Sequence, residues 1–182
     1  MLLALTATSF GQLSGKALKK MGPSPILFID SVEVDFHSFQ ALNPFEISNV
    51  TIVRPKTAKK LIGDKGVDGA VYVTTVSAAK QAYWAFFGSK SQKYKQLIPS
   101  PQADTSVQYI LNGESLTDSA APGALWLAAG DNFKSLDMID KEDGRFTMHI
   151  TYPKRYVAVI TAKRPKGLLR KKSRLKNEGT MQ

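Results

Sequence analysis

Apolar and polar residues alternate along this chain in two rhythms, and the changes between them mark its elements. Ile26 to Ile29 is a continuous apolar run, the pattern of a strand covered on both faces, and it ends at Asp30. From Ser31 to Val34 the pattern alternates, Val32 and Val34 against Ser31 and Glu33, as a half-exposed hairpin partner would. Asn43 to Ile47, with Leu42 before it and Pro44 near its start, predicts one helical turn. Val50 to Val53 alternates again and predicts the next strand. A helix follows, with Pro55 where the first helical N–H lacks a partner anyway and Gly63 where a left-handed residue is wanted. Ala58, Leu61 and Ile62 fall at i, i+3 and i+4 and are expected to pack on the sheet. Lys56, Lys59 and Lys60 face outward, the last two near the negative end of the helix dipole. Asp64 to Gly69 is a tight connection into the strand Ala70 to Thr75, giving the order β-β-α-β-α-β.

Residues 77–98 have another rhythm. Ala78, Ala79, Ala82, Tyr83, Trp84, Ala85, Phe86 and Phe87 make a helix apolar nearly all round, which predicts that it is largely buried. Gly88-Ser89-Lys90-Ser91 is expected to break it, Gln92 to Ile98 to add a turn, and Pro99 to Ser106 to serve as a linker. Val107 to Leu111 with Asn112-Gly113-Glu114 then resembles the first hairpin, Asn-Gly standing where Asp30-Ser31 stood. Asn-Gly suits a type I′ turn, which needs positive φ at both central residues. Phe133 to Ile139 matches Ile47 to Val53, and Tyr156 to Lys163 matches Ala70 to Thr75. Phe146 to Tyr152 suggests a hairpin in place of the first module's helix. The fold class is therefore α/β (α+β): two small β-β-α-β-type modules, a degenerate duplication, joined by an aromatic helix. The modules are residues 26–76 and 107–163, with a linker at 13–25 and a helical connector and linker at 77–106.

Composition narrows the chemistry. The 182 residues are 43% hydrophobic and 22% charged, which is ordinary for a folded chain of one or two domains. There is no cysteine, which removes disulfides, thiol nucleophiles and thiolate metal sites together. Residues 1–12, MLLALTATSFGQ, resemble the apolar core and small-residue end of a secretory signal peptide, with cleavage expected near Gly11 or Gln12. The basic residues that usually precede such a core are absent. The net charge of +10 is uneven: from Lys163 onward eight Lys or Arg stand against one acid, Glu178. This basic tail, residues 164–182, can be a solvated end. It can also be drawn to anionic lipid headgroups or an acidic protein surface through Arg170, Lys171, Lys172 and Arg174. Nucleic acid is not expected as a partner, because the tail interleaves no aromatic residues and export would separate the two.

No catalytic constellation emerges. The glycines Gly63, Gly66 and Gly69 leave a helix instead of entering one, and no Gly-Lys-Ser/Thr follows, so they do not form a phosphate loop. As a calcium loop starting at Asp64, the segment would place Gly66 and Thr75 where carboxylates are needed. They are expected to form a structural loop supplying positive φ. The only histidines, His37 and His149, have no metal-binding spacing, and no Gly-x-Ser-x-Gly elbow occurs. Asp137, Asp140, Glu142 and Asp143 suit a solvated turn better than paired catalytic carboxylates. No metal, cofactor or catalytic residue is expected. Tyr83, Trp84, Phe86 and Phe87 are expected to pack the modules together, or else to anchor a partner.

One stretch carries a resemblance. Leu61-Ile62-Gly63 through Gly69-Ala70-Val71-Tyr72-Val73-Thr74-Thr75 looks like the Tyr-Gly…Asn-Gly-Val-Ile-x-Ile-Thr-Thr signature of TonB-dependent outer-membrane receptor plug domains. Ile62 stands in place of Tyr and Asp68 in place of Asn. In that family the plug fills a barrel of about 22 strands and follows a box that contacts the energising protein. At about 10 residues per strand such a barrel needs over about 200 residues, and no such box is visible upstream of Ile26. The resemblance thus implies a plug-like module without the transporter. The expectation is a non-enzymatic, exported protein acting by protein–protein interaction, with another envelope protein, at the periplasmic side of an outer membrane. The alternative is an accessory or truncated part of a transport receptor that binds a ligand itself.

Overall fold

Asp30 and Ser31 both adopt positive φ, 49° and 72°, and reverse the chain between β1 (Ile26–Ile29) and β2 (Val32–Val34). Non-glycine residues adopt such φ at a cost, which Asp30 helps to offset by anchoring the far strand. Its carboxylate accepts from Thr75 N–H at 2.8 Å and from the Thr75 hydroxyl at 2.7 Å. The computed structural model describes residues 20–140 and 154–163. The predicted signal segment 1–12, the hairpin Phe146 to Tyr152 and the basic tail 164–182 lie outside the described residues.

After β2 come α1 (Phe36–Gln40), a 3-10 turn at Pro44–Glu46, and β3 (Ile47–Val53). Then α2 (Pro55–Ile62), a second 3-10 turn (Gly63–Gly66) and β4 (Ala70–Thr75) complete the first module. The strand predicted from Val50 begins at Ile47, because Ile47 to Asn49 also pair with β4 across a bulge. The sheet order is β2-β1-β4-β3, with β1 and β4 parallel at the centre and the outer pairs antiparallel. Phe39, Val71 and Val73 form its small core. The predicted linker is tied down where it is described. Gly22 N–H donates to Asp68 O at 2.9 Å and Ser24 N–H to the Asp68 carboxylate at 3.1 Å, while Met21 packs on the core.

The helix–glycine segment departs from expectation. α2 buries Ala58 but leaves Leu61 65% exposed, because the helix packs chiefly on the 3-10 turn that follows and not across the sheet. Gly66 makes this packing feasible: a Cβ there would lie 2.5 Å from the Ala58 carbonyl carbon. Its role is close approach, whereas Gly63 and Gly69 supply the expected positive φ, 69° and 93°. Gly69→Val would also drive a side chain to within 2.7 Å of Met21 Sδ and 2.9 Å of Val53 O. The expected cost is about 2 kcal/mol or more, a fall of several degrees in melting temperature; an unchanged melt would remove any special backbone role.

The second half repeats the plan. It contains α3 (Val76–Lys90), α4 (Gln92–Leu97), a 3-10 turn (Pro101–Ser106), β5 (Val107–Leu111) and β6 (Glu114–Ser115). α5 (Ala121–Ala128), a 3-10 turn (Gly130–Asn132), β7 (Phe133–Asp140) and β8 (Tyr156–Ala162) follow. The order β6-β5-β8-β7 and the strand directions are those of the first sheet. Detail repeats as well. Asn112 and Gly113 both have positive φ, and Asn112 Oδ1 accepts from Ala162 N–H at 3.0 Å, as Asp30 accepts from Thr75. The bulge between Ile47 and Asn49 recurs between Phe133 and Ser135, and each follows a 3-10 turn. Topology, turn, anchoring side chain and bulge thus occur twice.

α3 is not buried all round. Ala79, Tyr83 and Phe87 form one buried stripe, while Ala82 and Ala85 on other faces are exposed. Gly88 does not break the helix; it ends at Ser91, whose hydroxyl accepts from Tyr94 N–H at 3.1 Å and starts α4. The stripe joins Tyr94, Ile98, Val107, Tyr109, Leu125 and Ile160 in the main core. The modules meet where α5 lies against β3: a Cβ on Gly123 would sit 2.7 Å from Ser48 O in the β3 bulge. α5, a short apolar run, has no periodicity that sets it off in the sequence.

Candidate interaction surface

The most polar interior cluster centres on Asp104, within the stretch predicted to be a linker. Ser100 caps the 3-10 turn there, and Asp104 is only 6% exposed. Tyr83 donates its phenol proton to Asp104 Oδ2 at 2.5 Å, and Tyr109 donates to Asp104 Oδ1. Tyr109 has one proton and gives it to Asp104, so Tyr94 donates across the 2.9 Å contact between the two phenols. Lys80 Nζ lies 3.9 Å from Asp104 Oδ2. Burial, with the Asp104 charge adding to it, holds the pKa values of Tyr83, Tyr94 and Tyr109 well above their ordinary value. The phenols are fixed donors. They pin α3 and α4 to β5 and present no reactive group to solvent.

The four aromatics of α3 are likewise occupied. Tyr83 and Phe87 are 0% exposed and offer no surface to a partner, which corrects their place in a possible interface. Trp84 Nε1 donates to Ile98 O at 2.8 Å, and the Phe86 ring meets Phe133 edge-on at 5.3 Å. Their buried stripe serves the second module's core; the first module's core is separate. Asp137 and Asp140, three apart on β7, project to opposite faces, and Asp140 lies 3.9 Å from Arg155. Among the described residues no cluster of three metal-ligating side chains occurs. Arg170, Lys171, Lys172 and Arg174 lie outside the described residues.

Among the described residues, exposed large hydrophobics are confined to the first module. Val32, Phe36, Phe45, Leu61 and Val67 are the exposed large hydrophobics, with Phe45 at 92%. The second module's described large hydrophobics are all buried or half-buried. The reason lies in what covers each sheet: α3, α4 and α5 close the second core, whereas the five-residue α1 supplies only Phe39 to the first. On the opposite face of the first sheet, Phe28 and Tyr72 stack at 4.5 Å and 4°, in register with Glu33 and Thr51. Of this sheet's outer strands, β3 abuts α5 at Ser48. Among the described residues β2 has no strand on its outer side, and Val32 stands exposed on it. The signal for this surface was in the sequence, in the short segment between β2 and β3 that could not cover a whole sheet face. No family model, no curated protein and no solved structure matches the chain.

Proposed function

We propose that this chain is a non-enzymatic, exported plug-like protein that binds another envelope protein at the periplasmic side of an outer membrane. In this reading the first module is the docking end and the second is its folded base. The observation that carries it is the one-sided distribution of exposed hydrophobics, crowned by Phe45 in the turn before β3. Exposed apolar residues beside an unpaired strand edge suit strand addition, in which main-chain hydrogen bonds supply affinity and side chains such as Val32 and Phe36 supply selectivity. The phenols of Tyr83 and Tyr109 are committed to Asp104 and hold the second module's core, the folded base in this reading.

Chemical crosslinking in envelope fractions, followed by identification of the captured protein, tests this reading. Recovery of one partner, diminished by Phe45→Ser, is the expected result. Recovery of the chain only from the cytosol would sink it, and saturable small-molecule binding without a partner would favour a ligand-binding receptor accessory.

A further inference from the structure

The α2 lobe differs from the rest of the first module's surface in its charge. Within residues 54–68 Ala58 and Gly66 pack together, the helix rests chiefly on the 3-10 turn after it, and Asp68 holds the backbone of Gly22 and Ser24. Arg54, Lys56, Lys59, Lys60 and Lys65 crowd the lobe. Lys59 pairs with Asp64 at 3.2 Å and Lys65 with Glu33 at 3.0 Å, both at the solvent surface. Arg54, Lys56 and Lys60 have no carboxylate partner among the described residues and are exposed. Beside this charge stand two exposed aliphatics, Leu61 immediately after Lys60 and Val67 just beyond Gly66.

We propose that this lobe is a contact site for an anionic lipid surface. Cations attract such a surface over a Debye length, and small aliphatic side chains enter the headgroup boundary beneath them. The lobe fits lipid better than protein. Two aliphatics without an aromatic anchor cannot build the desolvated centre a protein interface needs, whereas a lipid surface requires no shape complementarity. Excess positive charge at the lobe's exterior is complementary to phosphatidylglycerol-type headgroups. The site uses none of the docking residues Val32, Phe36 and Phe45 and none of the basic tail.

The test is co-sedimentation of the full chain with vesicles of phosphatidylcholine alone or mixed with phosphatidylglycerol. Binding to the mixed vesicles only is expected. Each basic residue near such a surface contributes about fivefold in affinity, so Lys56→Glu with Lys60→Glu should weaken binding by more than about tenfold. Leu61→Ser with Val67→Ser should weaken it several-fold at unchanged charge, and Lys134→Glu in the second module should leave it nearly unaltered. Replacing Arg170, Lys171, Lys172 and Arg174 by Ser should leave a residual affinity that still depends on Lys56 and Lys60. Lys56, Lys60, Leu61, Val67 and Lys134 are exposed, and matching thermal melts would show that the variants fold. No binding to mixed vesicles, or binding indifferent to Lys56 and Lys60, would overturn the proposal. So would a charge reversal that abolishes capture of an acidic protein while vesicle binding stays intact.

Discussion

Asp104→Ala should lower the stability of the protein by about 3 kcal/mol, because it strands two buried phenol donors at once. Tyr83 and Tyr109 both give their protons to this carboxylate, and Tyr94 is linked to it through Tyr109. With all three rings buried, water does not replace the lost acceptor. For a chain of this size the melting temperature should fall by roughly 6–12 °C. Asp104→Asn keeps one acceptor oxygen and should fall less. Tyr83→Phe removes a donor without orphaning another and should cost about 1 kcal/mol. Thermal melts of the three variants give the comparison; an Asp104→Ala melt equal to that of the parent would show that the network contributes nothing.

The same three phenols make the fold sensitive to alkali. Their folded pKa values are raised by burial, whereas the unfolded chain releases the protons near pH 10. Below pH 10 both states are protonated and the stability is fully present. As pH rises above 10 the unfolded state loses protons that the folded state keeps, so unfolding is favoured by up to about 4 kcal/mol per pH unit for three groups. Domains are stable by only about 5–15 kcal/mol, so unfolding should come before these phenols ionise in the folded state. Absorbance of phenolate and circular dichroism, followed together, should show three tyrosines titrating in step with loss of structure. All six tyrosines ionising while the native spectrum persists would contradict the buried network.

Much of the architecture was legible because it rests on local chemistry. The alternation of Val32 and Val34, the hairpin residues Asn112 and Gly113, and Pro55 and Gly63 at the ends of α2 act within a few residues of themselves. What was missed depends on distant packing. Pro99 to Ser106 has a linker's composition, and only its meeting with Tyr83 and Tyr109 makes Asp104 a core residue. Gly88 is tolerated within α3 because the helix continues to bury Phe87 against the second core. α5 is a short, evenly apolar run with no marked polar face, so periodicity gave it no outline. At the candidate surface, the α3 aromatics were conspicuous by composition but are consumed by the core. Phe45 is exposed for the opposite reason, since among the described residues no element packs over it.

In the proposed function the first module, and not the aromatic helix or the second module, receives a protein partner. A photo-crosslinking amino acid placed singly at Phe45 and at Lys134, exposed residues of the first and second modules, addresses it directly in envelope fractions. Docking on the first module gives one discrete adduct from position 45 and none from position 134. An adduct from position 134 alone, or equal diffuse labelling from both, would contradict it.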